Sequence, residues 1–389
     1  MGCRLAPSLD RKEQKRVLDL LSRSFGLRYA PARRLFSFFL RRVPRKHCFI
    51  VEDARQRILG VLFVLDRALD YFGVSLRVAG LSYMAIHAQH RNFSISSILK
   101  QRLFRWMDGQ SDISMGFARK IMDGYWYPYG YVGITNFGKM SLPLSFLPAP
   151  KQGYSMRRAQ PQDYPFIRKS YKHSYRTLVG PLNRDAVLWS YYFARIQREK
   201  LNLQMIGRGN RSIGYCITKD NVVHELGGNS NAFADIAGVI GTDLSRHGHT
   251  EVILEIGFLH PFALFLSDRA HTKVSRFAWN GGHILRITRL PDLLRKIRPV
   301  LERRLRAAQV KNFRLACNNI LFIFSRGRLR VEPFDGKPDI ALAEHEWPKI
   351  IFGAADPGHL SALRGHPSAP LLRLMFPVGS PQVPYLDQF

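Results

Sequence analysis

One arginine and two serines lie where the chain changes from a strand pattern to a helix pattern. The apolar run 78–86 predicts a strand, and amphipathic spacing from Ile95 onward predicts a helix directly after it. Such a junction leaves free backbone N–H groups at the helix start, where the helix dipole also favours anions. Arg91, Ser94 and Ser96 supply a basic side chain and small side chains at this point. The segment therefore predicts a phosphate-binding turn.

A cluster of aromatic residues follows the next predicted strand, at 113–117. Tyr125, Trp126, Tyr127 and Tyr129 are nearly consecutive in the sequence. A tyrosine hydroxyl can act as a general acid toward a leaving group. The same residues could instead close a hydrophobic core, as aromatic clusters often do.

The pattern Arg91-x-x-Ser94-x-Ser96 resembles the coenzyme A loop of the GNAT acetyltransferases, in which small residues, usually glycine, stand at the two serine positions. The resemblance implies that one loop holds the pyrophosphate of acetyl-coenzyme A, with contributions from Arg91, Asn92, Phe93, Ser94, Ile95 and Ser96. It also implies that backbone N–H groups of the preceding strand polarise the thioester carbonyl, here those of Met84, Ala85 and Ile86. The serine substitutions leave open a GNAT-like protein that no longer binds the cofactor.

The aromatic cluster resembles the Tyr-x-x-x-Gly-Phe element of the same family, whose tyrosine protonates the departing thiolate. Strict spacing from Gly130 places Trp126 at the tyrosine position, whereas a one-residue deletion places Tyr127 there. Only a hydroxyl can protonate a thiolate, so the general acid is assigned to Tyr127.

The order of predicted helices and strands indicates an α/β (α+β) protein of three domains. Residues 1–150 follow the GNAT order, and residues 151–282 repeat it without a basic anchor in the loop, as in a degenerate GNAT-like copy. Residues 283–389 resemble the sterol-carrier-like domain of the enhanced-intracellular-survival type of acetyltransferase. In that type the base is the C-terminal carboxylate, which maps onto Phe389. His87 and His90, beside the loop, are rival bases.

Composition narrows the partners of the protein. The 389 residues carry a formal net charge of +30, which predicts an anionic partner. The arginines are dispersed and no nucleic-acid-binding motif is present, so specific nucleic-acid binding is not expected. The preferred function is transfer of an acetyl group to a small amine acceptor, such as an amino sugar or another anionic metabolite. The alternative is an inactive GNAT-like module that binds acidic lipid or nucleic acid.

Other classes of protein fit the sequence less well. No window approaches the ~20 apolar residues of a transmembrane helix, and the first residues lack the form of a signal peptide. The cysteines are scattered without a Cys-x-x-Cys pair, so neither disulfides nor a metal site is expected. A cytoplasmic location is therefore predicted, and homo-oligomerisation is left open.

Overall fold

The computed structural model describes residues 2–25, 29–91, 93–119, 123–134, 138–209, 211–268, 273–276, 280–379 and 383–387. The first part of the chain contains the strands β1 (Gly2–Ala6), β2 (Lys46–Glu52), β3 (Ile58–Tyr71), β4 (Val74–Ile86), β5 (Ile113–Arg119), β6 (Val132–Gly133) and β7 (Gly138–Pro143). Its helices are α1 (Arg11–Ser24), α2 (Tyr29–Arg42), α3 (Phe93–Met107) and α4 (Asp123–Trp126).

The middle part of the chain has a similar alternation of elements. Its strands are β8 (Tyr154–Arg158), β9 (Asn202–Arg208), β10 (Arg211–Lys219), β11 (Val222–Gly228), β12 (Glu251–Leu254), β13 (Lys273–Arg276) and β14 (Asn280–Ile287). Its helices are α5 (Tyr164–Tyr175), α6 (Ala186–Arg198), α7 (Phe233–Arg246) and α8 (Pro261–Ser267).

The last part of the chain forms a small antiparallel sheet with helices packed on it. Its strands are β15 (Phe313–Cys317), β16 (Ile320–Ser325) and β17 (Arg328–Pro333), and its helices are α9 (Leu290–Ala307), α10 (Glu346–Ile351) and α11 (Ala369–Met375). A buried cluster joins this unit to the ends of β3, β4 and β5 in the first sheet. The core of the last part is therefore continuous with that of the first.

Two seven-stranded sheets form the body of the molecule. The first sheet has the order β1-β2-β3-β4-β5-β14-β6, and the second has the order β13-β7-β12-β11-β10-β9-β8. β7 comes from the first part of the chain but pairs with β12 and β13, whereas β14 comes from the middle part but pairs with β5 and β6. Each sheet thus includes strands from more than one predicted domain, since β14 itself crosses residue 282, and the boundaries near 150 and 282 stay a prediction.

Local sequence explains the helices that flank the first sheet. Asp10 caps α1, since its carboxylate accepts the Glu13 N–H at 2.7 Å while Glu13 bonds back to the Asp10 N–H. α3 buries Ile95, Leu99 and Leu103 completely, at the spacing expected of an amphipathic helix. The helix predicted after the apolar run 78–86 is therefore confirmed.

Neither a membrane-spanning helix nor a metal-binding cluster is found among the residues that the structure describes. Within those ranges no helix is long and apolar enough to cross a membrane. The described side chains also contain no group of three or more His, Cys, Asp or Glu that could hold a metal ion. All four cysteines are free.

Candidate active site

The first sheet opens between two neighbouring parallel strands. β4 and β5 pair only over Val78–Leu81 and Ile113–Gly116, although both strands continue well beyond these residues. We call the opening beyond the last pair the fork. On its other side, β4 stays paired with β3 as far as Ile86. Residues 82–86 of β4 therefore present one backbone edge to the fork, where an extended ligand can form hydrogen bonds.

A β-bulge lies at the start of the fork. Leu62 of β3 pairs with Met84, whereas Val64 pairs with Leu81, so Ser82 and Tyr83 both lie opposite one residue of β3. Bulges redirect side chains and are common beside active sites. The Ser82 hydroxyl is buried and has no hydrogen-bond partner in the described part of the chain.

The side chains of β4 at the fork lie on both faces of the sheet. Met84 and Ile86 pack into the cluster that contains the buried side of α3, whereas Tyr83 and Ala85 pack with residues of α1 and α2. Residues 84–86, predicted to polarise a thioester, therefore line an open edge between two separate compartments. One compartment lies toward α3 and α4, and the other lies toward α1 and α2.

The predicted phosphate-binding turn lies on the α3 face. Arg91 is exposed, and its Nη2 donates a hydrogen bond to the Ser24 carbonyl at 3.3 Å. Ser94 is exposed in the first turn of α3, while Ile95 and Ser96 are buried. Asn92 lies outside the described residues, as does the side chain of Phe93.

The aromatic cluster forms α4 and the 3₁₀ turn Tyr127–Tyr129. Tyr127, the tyrosine assigned from the sequence, is 49% exposed, and its ring lies 5.3 Å from the ring of His345 in the last part of the chain. Trp126, at the strict family position, is buried against the Tyr131 ring at 5.2 Å. The Tyr125 hydroxyl is buried and has no hydrogen-bond partner among the described residues. Tyr125 is therefore a second candidate, beside Tyr127, for the general acid.

The opposite face of the fork holds a cavity of about 230 Å³. Ser82, Tyr83 and Phe117 contribute from the fork itself, and α2, α6 and residues 385–387 close the remaining sides. Rings dominate the lining, and burial raises the pKa of Tyr83 above its usual value. A cavity with aromatic walls beside an open strand edge suits a small second substrate.

Charged groups in the cavity are mostly basic. Arg195 pairs with Glu199 at 2.7 Å, and despite its burial Glu199 holds the pKa of Arg195 above its usual value. Arg67 donates to the backbone carbonyls of Pro44 and Asp66, at 3.1 and 2.8 Å. Neither Arg67 nor Arg198 forms an ion pair with any carboxylate that the structure describes.

The last described residues are fixed at this cavity by a buried ion-pair network. The Asp387 carboxylate accepts from Arg184 Nη2 at 2.8 Å, and the same guanidinium bonds Glu225 at 2.6 Å, all three side chains being fully buried. The Leu386 carbonyl accepts from Arg195 at 2.8 Å. Phe389 itself lies outside the described residues.

The two candidate histidines follow the end of β4. Their ring centroids are 5.6 Å apart, and His87 Nδ1 is buried with no hydrogen-bond partner in the described ranges. The sequence did not single out Lys100, Arg67 or Tyr83. A lysine on an amphipathic helix and isolated arginines carry no signal of burial until the packing of neighbouring elements is known.

Comparisons with known proteins agree with this geometry. Residues 7–133 match the family model described as an acetyltransferase (GNAT) domain. A probable N-acyltransferase from Enterococcus faecalis V583 has a similar structure, with a TM-score of 0.75 and 15% sequence identity over 100% of both chains. A GCN5-related N-acetyltransferase from Kribbella flavida gives a TM-score of 0.72 at 18% identity, also over 100% of both chains. Eis1 from Mycobacterium abscessus gives 0.68 at 14% identity, with the same coverage.

Comparison with curated proteins gives no match. The residues that match the GNAT family model, 7–133, make up about the first third of the chain. The structural similarities, all below 20% identity, show that the fold is shared.

Proposed function

We propose that this protein is an N-acyltransferase that moves the acetyl group of acetyl-coenzyme A to the primary amine of a small molecule. The observation that carries the proposal is the fork, where β4 and β5 stop pairing within the residues that match the GNAT domain model. One face offers a phosphate-type turn, and the other offers a cavity beside the same strand edge. Two substrates could therefore meet at β4 from opposite sides.

The cofactor would lie on the α3 face. The start of α3 and the Arg91 guanidinium would bind the pyrophosphate, and the open edge of β4 would pair with the extended arm of the cofactor. Backbone N–H groups of Met84, Ala85 or Ile86 would stabilise the oxyanion formed from the thioester carbonyl. These assignments need both the helix start and the open strand edge.

The reaction itself is nucleophilic substitution at a thioester. The amine nitrogen attacks the carbonyl carbon, the C–S bond breaks with its electron pair leaving on sulfur, and the amine loses a proton to a base. A tyrosine of the 125–129 segment then protonates the sulfur. The sequence assigns this role to Tyr127, and the buried hydroxyl of Tyr125 makes it the alternative.

The base is proposed to be the carboxylate of Phe389. Supporting evidence is that Asp387, two residues earlier, is anchored at the cavity that reaches the fork. A C-terminal tag that converts this carboxylate into an amide should then abolish turnover without weakening cofactor binding, whereas an N-terminal tag should be harmless. Full turnover by the C-terminally tagged protein would move the role to His87 or His90.

The acceptor is proposed to be a small amine that also carries a negative charge, for example an amino sugar bearing an acidic group. Arg67 and Arg198 line the cavity without a carboxylate partner among the described side chains, while Glu199 and Asp387 are each paired with an arginine. An anionic group on the acceptor would therefore gain charge-assisted hydrogen bonds. The net charge of +30 favours the same class of acceptor.

A direct test uses acetyl-coenzyme A with two matched amines, 4-(aminomethyl)benzoate and benzylamine, and detects the acetylated amine by mass spectrometry. The proposal predicts enzyme-dependent acetylation, faster for the carboxylate-bearing amine. Cofactor binding without acetylation of any amine in a wider panel would favour the alternative, a GNAT-like module that binds an anionic partner. The sterol-carrier-like interpretation of residues 283–389, a cytoplasmic location and homo-oligomerisation stay predictions.

A further inference from the structure

A lysine is buried on the cofactor face of the GNAT domain. Lys100 of α3 is 1% exposed, and its Nζ has no hydrogen-bond partner among the residues that the structure describes. The Nζ lies 4.1 Å from the ring centroid of Tyr125 and 3.7 Å from that of Tyr129. The ammonium group is therefore enclosed by two tyrosine rings rather than by a counter-ion.

A second polar group beside this lysine is also unsatisfied. The Tyr125 hydroxyl is buried and lacks a hydrogen-bond partner within the described ranges. Burying one unpaired polar group is costly, and burying a charge without an anion costs more than contact with aromatic rings returns. Two such groups on facing elements are uncommon in a folded protein, and a functional role is one explanation for them.

The pair lies close to the phosphate-type turn. Ser96 and Lys100 are four residues apart on α3, so they share one face and are separated by about one helical turn. Tyr125 belongs to α4, which follows the strand on the other side of the fork. Lys100 thus lies about one turn further along α3 from the phosphate-type turn, with the Tyr125 ring against it.

A further charged group in the described part of the chain lies near this pair. The Arg286 guanidinium, on β14, lies 4.5 Å from the ring centroid of Phe104, one turn beyond Lys100 on α3. No carboxylate in the described part of the chain forms an ion pair with Lys100. Lys100 and Arg286 thus place two positive charges against the rings of Tyr125, Tyr129 and Phe104.

We propose that Lys100 is a positioning residue for Tyr125, and that Tyr125 is the group that protonates the sulfur of coenzyme A. As the C–S bond breaks, its electron pair stays on sulfur, and the Tyr125 O–H proton moves to that sulfur. The resulting phenolate faces the Lys100 ammonium across the ring and regains a proton from solvent after the product leaves. The inference rests on the proposed function, because it needs coenzyme A to bind on this face.

The test compares coenzyme A with desulfo-coenzyme A, which lacks the sulfur, by calorimetric titration at a pH at which the coenzyme A thiol is ionised. Bound as the thiolate, coenzyme A should bind the wild-type protein about tenfold more tightly than the desulfo ligand, because it gains a charge-assisted hydrogen bond. Lys100→Met and Tyr125→Phe should each remove most of this preference. Lys100→Met should add nothing further in the Tyr125→Phe background, since the lysine acts through the tyrosine.

Matched controls separate this role from general electrostatics and from stability. Tyr127→Phe removes the competing hydroxyl, and Arg286→Met removes a nearby charge that does not contact Tyr125; both should keep the preference. Lys100→Arg keeps the charge and should keep at least part of the preference. Lys100→Met should not unfold more readily than wild type, because it removes an unpaired buried charge.

The outcomes distinguish the inference from the function on which it rests. If neither ligand binds the wild-type protein, the proposed function itself is wrong. If both bind but Lys100→Met keeps the full preference for the sulfur, only the inference is wrong. Loss of affinity for both ligands in equal measure would also overturn it, since Lys100 would then bind another part of the cofactor.

Discussion

The two large sheets contain the same strand–helix–strand arrangement, but the buried polar groups around it form different hydrogen bonds. In the first sheet β4, α3 and β5 surround the fork, where Ser82, Lys100 and Tyr125 each keep a buried polar atom unpaired within the described residues. In the second sheet β11 and β12 pair in parallel and α7 connects them. There Gly228, at the end of β11, exchanges hydrogen bonds with the Ser174 hydroxyl at 3.0 and 3.3 Å.

The second arrangement also has a satisfied buried charge network. Glu225 of β11 accepts hydrogen bonds from Arg184 and from the Tyr215 hydroxyl, at 2.6 and 2.8 Å. Arg184 also forms an ion pair with Asp387. A paired network indicates a structural role, although the Tyr175 hydroxyl and His260 Nε2 near it are, like the atoms at the fork, buried without a hydrogen-bond partner among the described residues. The network therefore anchors residues 385–387 against the second sheet.

The largest expected effect is on stability, and it tests the structural role of the buried network in the second sheet. Arg184→Met leaves Glu225 and Asp387 buried without their cation, which should lower the free energy of unfolding by about 3–5 kcal/mol in a urea titration. Arg45→Met, which removes an exposed ion pair with Asp185, should cost less than about 1 kcal/mol. Equal losses for the two variants would show that the buried network does not stabilise the fold.

The next effect concerns the chemical side of the comparison. Tyr125→Phe should lower kcat about 10²–10⁴-fold with little change in affinity for acetyl-coenzyme A, because it removes a general acid and leaves the ring in place. Tyr127→Phe should remain close to wild type. Steady-state kinetics with 4-(aminomethyl)benzoate measures both. The reverse result would restore the assignment made from the sequence, and full activity in both variants would exclude a tyrosine acid.

A smaller effect is expected in the cavity on the other face. Arg67→Met should lower kcat/KM for 4-(aminomethyl)benzoate about 10–100-fold, the value of a lost charged hydrogen bond, and should change benzylamine turnover little. Arg328→Met, an exposed position on β17, is the matched control for a lost positive charge. A uniform decrease for both amines would mean that Arg67 supports the cavity wall rather than the acceptor.

Local patterns predicted most of the elements but not their partners. The helix over 185–198 was predictable because Asp185 caps it, accepting from the Leu188 N–H at 2.9 Å, and because its apolar residues recur at helical spacing. The exchange of β7 and β14 between sheets was not predictable, because the sequence of a short apolar strand does not indicate which strands of a sheet it pairs with. Strand pairing is decided by tertiary packing, which local propensity does not encode.

The site was predictable where it depends on a local junction. The strand–turn–helix around Arg91 is confirmed as an arrangement of elements, whereas its ligand stays a proposal. The burial of Lys100 depends on α4 packing over α3, and the role of Asp387 depends on a contact with Arg184 across 203 residues of sequence. Neither contact leaves a periodic signal. The choice between Tyr125 and Tyr127 likewise depends on which ring the turn directs inward.

We propose that the fork of the first sheet, and not its counterpart in the second sheet, binds the cofactor. The direct measurement is a calorimetric titration of acetyl-coenzyme A into wild type, Ser94→Asp and Asn231→Asp, two exposed positions near the starts of α3 and α7. We expect one binding site per chain. Ser94→Asp should weaken the affinity for acetyl-coenzyme A at least tenfold, because the new carboxylate repels phosphate, whereas Asn231→Asp should leave the affinity unchanged. No binding to wild type, or equal binding to Ser94→Asp, would contradict the proposal.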